Sequence, residues 1–397
     1  LKKVVLAYSG GLDTSVICHM LAVKGYEVHA VLVNVGQEED LEPLREKAKA
    51  VGATEAYIVD AVDEFVNEFV TPAILANARY EGKYPLFTAL SRPLIARHLV
   101  RIAREIGAEA VAHGSTGKGN DQVRFEVSFA ALAPELETMA PVRDWKLSRD
   151  QAIDYALKNN IPVSITRKSP YSIDENIWGR SVECGPLEDL ENEPFEDAYK
   201  LTTAPEKAPD KPEYVTLVFE KGIPVALNGV EMPLKLIIKE LTVLGGRHSI
   251  GRIDMIESRL IGIKSREIYE VPAAEIILTA HEDLESLTLE RDTYHYKKKI
   301  EQEVAELIYY GKWYSPLLRA LFAFVRETQQ TVNGEITLKL YKGRAVAVKR
   351  KSPNSLYLPE LATYEGKDEF SHEDARGFVN LWGLPVKIFA KVNRNRE

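Results

Sequence analysis

Val4-Val5-Leu6-Ala7-Tyr8-Ser9-Gly10-Gly11-Leu12-Asp13-Thr14-Ser15 reads as a strand, a glycine turn and the start of a helix. The first five residues are an apolar run of strand type, and Val16, Ile17, Met20 and Leu21 beyond them keep helical spacing. Between the two, adjacent glycines can take positive φ and leave no Cβ in the way of an anion. A helix starting near Leu12 adds free N–H groups and a positive dipole end, and Ser9, Thr14 and Ser15 add hydroxyl donors. The segment is therefore expected to grip phosphate. Asp13 differs, because a carboxylate repels phosphate unless it works through a cation, so it is assigned to Mg²⁺. A Gly-Gly turn before an N-capped helix would use the same residues without any ligand, and the turn alone does not separate the two readings.

The rhythm repeats outward from this loop. Residues 28–35, 56–59, 109–112 and 138–142 read as strands, and 41–51, 62–78, 93–106 and 151–158 as helices. Strands alternating with helices imply right-handed βαβ units and a parallel sheet, with ligands outside the carboxyl ends of the strands. Loops 9–15 and 113–121 stand at such ends. A domain boundary is expected near residue 165, and the Pro- and acid-rich stretch 188–212 as an extended connection. Beyond it, hairpins at 214–227 and 337–349 and a helix at 234–244 lack the βαβ rhythm. The expected architecture is an α/β nucleotide-binding domain with a parallel sheet (1–165), an α+β domain (166–360) and a tail (361–397). Phe378, Leu381 and Trp382 suit that tail to packing on a neighbouring subunit.

Composition excludes several classes. Of 397 residues, 45% are hydrophobic and 28% charged, as in an ordinary globular protein with a sizeable core. The net charge of -8, from 51 Lys plus Arg against 59 Asp plus Glu, argues against nucleic acid as a partner. Cys18 and Cys184 are too few for a disulfide framework and are expected to be inert thiols in a reducing compartment. No apolar run reaches the roughly 18 residues of a membrane span, and the start lacks a signal-peptide pattern, so a cytoplasmic protein with no membrane partner is expected.

No Gly-x-x-x-x-Gly-Lys-Ser/Thr occurs, and no Gly-x-Gly-x-x-Gly follows the first strand, which speaks against kinase and dehydrogenase readings. The order Ser-Gly-Gly-x-Asp-Thr-Ser after an N-terminal strand instead resembles the loop of the N-type ATP pyrophosphatases, with their adenine nucleotide alpha hydrolase-like fold. The second loop, His113-Gly114-Ser115-Thr116-Gly117-Lys118-Gly119-Asn120-Asp121-Gln122-Val123-Arg124, is rich in hydrogen-bonding groups. Lys118 and the glycine amides suit phosphate, Asn120 and Asp121 an ammonium or amide, and Arg124 a carboxylate through its bidentate fork. Taken with Tyr80-Glu81-Gly82-Lys83-Tyr84, Ser91-Arg92-Pro93-Leu94-Ile95-Ala96, Pro170-Tyr171-Ser172-Ile173-Asp174-Glu175-Asn176, Gly245-Gly246-Arg247-His248, Gly251-Arg252, Gly262-Ile263-Lys264-Ser265-Arg266 and Ser315-Pro316, the whole chain resembles the argininosuccinate synthase family.

That resemblance implies a ligase that uses ATP, L-citrulline and L-aspartate in arginine biosynthesis. It forms citrullyl-AMP and then argininosuccinate, with Mg²⁺ accompanying ATP, no prosthetic group, and a homotetrameric assembly. Carried over by position, Ala7, Tyr8, Ser9, Gly10, Gly11, Leu12, Asp13, Thr14, Ser15, Val33 and Gly114 would hold ATP. Tyr84, Asn120, Arg124, Ser172, Ser181, Glu257 and Tyr269 would hold citrulline, with Arg124 on the α-carboxylate and Glu257 on the α-ammonium. Thr88, Thr116, Asn120 and Asp121 would hold aspartate, and Asp13, Asn120 and Asp121 are the catalytic candidates. Three positions depart from the common pattern: Ala89 lacks a hydroxyl, and Ser249 and Glu267 stand where glycine is frequent. His113 and His248 are assigned hydrogen-bonding roles, and Lys297-Lys298-Lys299 a solvated face. Two rivals remain open at this stage: an adenylating enzyme with another substrate, and a nucleotide sensor without catalysis.

Overall fold

The computed structural model describes residues 2–162, 171–365 and 369–394. Its chain forms two compact units, Leu1–Asn354 and Ser355–Glu397. The expected boundary near residue 165 lies outside the described residues, as does Pro170 of the quoted motif.

The first sheet contains β1 (Lys3–Ala7), β2 (Glu27–Asn34), β3 (Glu55–Asp60), β4 (Ala110–Ala112) and β5 (Glu137–Met139). It is wholly parallel, in the order β3-β2-β1-β4-β5. The order in which strands are added reverses at β1, so both glycine loops emerge at the switch point, where such sheets bind ligands. Val4, Val5 and Leu6 are buried on both faces, which is why this strand reads as an unbroken apolar run.

Helix Phe87–Ile106 starts six residues before the expected 93. Proline at a first helical position is a common start signal, but here Pro93 lies inside the helix. The missing N–H is tolerated because Phe87, Leu90, Leu94 and Leu99 are fully buried along one face and hold the segment in place. The expected helix at 62–78 is instead Val62–Glu64, a π-helical turn Phe65–Val70, and Thr71–Leu75.

Two antiparallel sheets follow. One contains β8 (Glu213–Glu220), β9 (Ile223–Leu227), β10 (Val230–Glu231), β13 (Gly334–Tyr341) and β14 (Arg344–Lys351), in the order β10-β9-β8-β13-β14. Val215, Leu217 and Phe219 alternate into its core side, as do Ile336, Leu338 and Leu340 of β13, with Leu217 opposite Ile336 and Val215 opposite Leu338. The other contains β6 (Ser172–Asn176), β7 (Gly179–Glu183), β11 (Arg252–Ser258) and β12 (Lys264–Glu270), in the order β11-β12-β7-β6. Sequence reading found none of these four strands. One face of that sheet, with Val182 and Ile268, packs on Leu187 and Ala198, so the stretch 188–212 is partly packed rather than a free connection. Backbone N–H groups of Lys200, Leu201 and Thr202 all donate to the Glu270 carboxylate.

The expected solvated face at Lys297 is overturned. Lys297 is fully buried in helix Arg291–Tyr309 and pairs with Glu285 at 2.8 Å and Glu301 at 2.9 Å. Glu285 and Glu301 also accept from the Asn77 amide, each at 2.7 Å. A buried ammonium is tolerable only with such partners, and a local run of lysines carries no sign of what the fold brings to it.

Candidate active site

The phosphate loop is held from beneath. Gly10 has φ +76, and a Cβ there would lie 2.6 Å from Leu44 Cδ2, so only glycine fits. Lys47 Nζ donates to the Gly10 carbonyl at 2.6 Å, fixing that peptide. Ser9 and Thr14 hydroxyls meet at 3.2 Å, and Gly11, at the N-cap, donates its N–H to Ser9 Oγ at 3.4 Å. Gly114 explains itself likewise: a Cβ would sit 2.9 Å from Thr14 Cγ2, so the two loops touch directly.

A single cleft of about 1040 Å³ opens over these loops. From the parallel domain it is lined by Ala7, Tyr8, Ser9, Gly10, Gly11 and Thr14, with Val33 and Gly114 beside them. Thr116, Asn120, Asp121 and Arg124 enter from the second loop, Thr88 from the start of helix Phe87–Ile106 and Tyr84 from the turn just before it. Ser172, Ser181, Glu257 and Tyr269 enter from the antiparallel sheet. Leu12, Asp13 and Ser15 do not line it. Leu12 is a core residue, and Ser15 is buried with its hydroxyl 3.0 Å from that of Tyr8. Asp13 lies in the first helical turn, where burial raises its carboxyl above the ordinary value against the pull of Arg149. Lys118 is exposed outside the lining, and Ala89 is buried in the helix away from it.

Register explains how one sheet supplies half the cleft. Ser172 stands opposite Glu183, Asp174 opposite Ser181, and Ser181 opposite Tyr269. Directly opposed residues share a face, so these side chains, with Glu267 two positions before Tyr269, point the same way. Glu257 is opposite Ser265 and so joins them. It is 2% exposed and accepts from the Tyr269 hydroxyl at 2.5 Å and the Tyr309 hydroxyl at 2.6 Å. Tyr84 stacks on Tyr269 at 4.2 Å, and its hydroxyl accepts from Thr88 N–H at 3.1 Å.

Charges are arranged in opposed pairs. Asp121 accepts from Arg92 Nε at 2.9 Å and Arg124 Nη1 at 2.8 Å. Burial opposes its ionisation, but the two guanidinium groups prevail and hold its carboxyl below the ordinary range. Arg92 also pairs with Asp174, and Arg259 with Glu183 and Glu267. Glu267 is pushed up to about 8, first by burial and then by Glu183 and Glu257. The strand around it pairs without interruption, so this departure from glycine changes the cleft wall and not the backbone. Ser249 adopts φ 64, the left-handed region that favours glycine.

Sequence reading passed over Arg92 and Asp174, which it quoted without roles, and also Glu183, Arg259 and Tyr309. Only contacts between distant segments single these out. His113 accepts from Ser115 N–H through Nδ1 and meets Glu126 through Nε2, consistent with its hydrogen-bonding assignment. His248 meets Glu213 at 3.2 Å. Burial pushes the Cys18 thiol up to about 12 and the Cys184 thiol to about 11, so neither is poised as a nucleophile.

A parallel sheet with its glycine loop at the switch point opens into a cleft walled by a second, charged sheet, the layout of a doubly wound nucleotide-binding domain. Residues 3–162 match the arginosuccinate synthase N-terminal HUP domain and residues 171–389 the arginosuccinate synthase C-terminal domain. The chain is 58% identical to the argininosuccinate synthase of Halalkalibacterium halodurans over 396 residues, covering 100% of this chain and 97% of the relative. It is 55% identical to that of Rubrobacter xylanophilus over 392 residues, 99% and 96% of the two chains. The chain belongs to the argininosuccinate synthase family, and it is a ligase. Among solved structures, a 4-thiouridine synthetase–RNA complex with bound ATP is 20% identical over 40% of each chain, at a TM-score of 0.30 too low to bear on the fold. No helix among the described residues is long and apolar enough to cross a membrane.

Proposed function

We propose that this ligase joins citrulline to aspartate through citrullyl-AMP. The citrulline ureido oxygen attacks the α-phosphorus of ATP, the bond to the bridging oxygen breaks, and pyrophosphate leaves. The aspartate amine, having lost a proton, then attacks the ureido carbon and expels AMP. The observation that carries this reading is that one cleft is lined both by Ser9, Gly10, Gly11 and Thr14 and by Asn120, Arg124, Glu257 and Tyr269.

In this reading the glycine N–H groups and the Ser9 and Thr14 hydroxyls receive the pyrophosphate oxygens, and Val33 and Gly114 border the adenosine. Arg124 takes the citrulline carboxylate and Glu257 its ammonium, with Tyr84, Ser172, Ser181 and Tyr269 on the remaining polar atoms. Thr88, Thr116, Asn120 and Asp121 take aspartate. The rate enhancement then comes from alignment and fixed charge rather than a covalent enzyme intermediate. Among the described residues no cluster of three or more His, Cys, Asp or Glu is arranged to hold a metal. Asp13, in the first turn of the helix that follows the phosphate loop, is the carboxylate that would hold an Mg²⁺ carried in on ATP. Mg²⁺ bound in this way supplies charge neutralisation for the departing pyrophosphate.

The second unit supports assembly into a homotetramer. Its helices His372–Trp382 and Leu384–Val392 leave Phe378, Leu381, Trp382 and Phe389 exposed, which suits burial in an oligomer. Exchange of labelled pyrophosphate into ATP, dependent on citrulline and independent of aspartate, tests the first step. Active protein that makes argininosuccinate without such exchange refutes a free citrullyl-AMP step.

A further inference from the structure

Tyr309 is the last residue of helix Arg291–Tyr309 and is fully buried. It touches three of the residues read above as substrate contacts while lying outside the cleft lining itself. Its hydroxyl donates to Glu257 Oε1 at 2.6 Å and accepts from Asn120 Nδ2 at 2.8 Å. Its carbonyl accepts from Arg124 Nε at 3.0 Å, and the Arg124 guanidinium lies 4.9 Å from its ring centre. The ring stacks on Tyr80 at 3.5 Å, 7° from parallel, which fixes where the hydroxyl points.

A tyrosine has one proton, and here its use is forced. A carboxylate can only accept, so the proton goes to Glu257. The oxygen must therefore accept, and only the amide nitrogen of Asn120 can donate to it. On its other side Asn120 Oδ1 accepts from Leu260 N–H at 2.9 Å, so the amide cannot turn over without losing both bonds. One N–H and one lone pair of Asn120 are left for the cleft. Burial, with Glu257 next, holds the Tyr309 phenol far above its ordinary pKa, so the relay keeps this direction.

We propose that Tyr309 is a positioning residue that fixes the Asn120 amide and the Glu257 carboxylate through one hydroxyl, so that the aspartate and citrulline half-sites are set together. The proposal rests on the substrate assignment of the preceding section. The carboxylate faces citrulline and the amide faces the junction with aspartate, so loss of the relay disturbs both amino acids and spares ATP.

The test is Tyr309→Phe, which keeps the ring on Tyr80 and removes only the oxygen. KM for citrulline, measured in pyrophosphate exchange, and KM for aspartate, measured in the full reaction, are each expected to rise roughly tenfold, the scale of one hydrogen bond to a charged group. KM for ATP is expected to stay within about twofold, since nothing in the relay touches the phosphate loop. A general loosening of the fold would raise all three, and that result overturns the proposal, as does a variant with citrulline and aspartate constants unchanged. Asn120→Ala with and without Tyr309→Phe gives a second check: with the amide absent, the added aspartate penalty of Tyr309→Phe is expected to vanish. An additive penalty refutes the coupling. If the parent enzyme shows no citrulline dependence, the substrate assignment fails, and that is visible before any variant is made.

Discussion

Replacing Glu257 with glutamine removes a charge while keeping size and shape, and the structure says what it should cost. The carboxylate receives two tyrosine hydroxyls, at 2.5 Å from Tyr269 and 2.6 Å from Tyr309, and is 2% exposed. An amide offers one oxygen and one NH₂ group, so either orientation leaves one tyrosine facing a donor. If that is Tyr309, its oxygen already accepts from Asn120 and its proton has no acceptor; if it is Tyr269, its proton likewise loses its acceptor. One charge-assisted hydrogen bond is lost either way, and the substrate ammonium loses its counter-charge. At about 1.5–3 kcal/mol for such a bond, KM for citrulline should rise roughly 10- to 150-fold. The assay is pyrophosphate exchange against citrulline at saturating ATP, with KM for ATP as the internal control. A Glu257→Gln enzyme whose citrulline constant stays within about twofold of the parent refutes the assignment of this carboxylate to the ammonium.

Three further outcomes follow from the geometry. Lys297→Met leaves Glu285 and Glu301 as buried carboxylates without their shared cation, and should lower unfolding free energy in urea by about 3–5 kcal/mol; an unchanged midpoint would show that the cluster is not carrying charge. Gly10→Ala places a Cβ 2.6 Å from Leu44 at φ +76 and should raise KM for ATP about tenfold with a small effect on citrulline, so equal effects on both substrates would contradict a local role. Glu267 is raised from 4.5 to about 8 by burial and its acidic neighbours, so the folded state holds a proton there that the unfolded state has released. Its contribution is present below the unfolded value and is lost as pH rises through the folded one. Glu267→Gln should therefore gain stability relative to the parent between about pH 5 and 9, read as the difference in thermal midpoints; parallel curves would argue against it.

The parallel domain was legible because its elements are apolar for their own local reasons. A strand buried on both faces, such as Lys3–Ala7, needs no partner to be recognised, and Gly10 and Gly11 mark a turn whatever surrounds them. The four strands at 172–176, 179–183, 252–258 and 264–270 were missed for the converse reason. One face of each looks into a polar cleft, so Ser-Ile-Asp-Glu-Asn and Lys-Ser-Arg-Glu-Ile-Tyr-Glu lack the apolar alternation that betrays a half-buried strand. The resemblance to a family still pointed to Ser172, Ser181, Glu257 and Tyr269 within them.

What the sequence determined alone was local: the glycine loop, the βαβ rhythm, the α+β character of the rest, and the residue types of the site. Tertiary structure decided which of these meet. It turned Lys297 from an apparent surface charge into the centre of a buried cluster, carried helix Phe87–Ile106 through Pro93, and set Leu12 and Ser15 into the core behind the loop. It also brought Tyr309 between Asn120 and Glu257, segments 189 and 52 positions away along the chain. Hydrogen-bond direction and charge pairing act over a few ångströms of space, and no pattern along the sequence records which distant residues will share them.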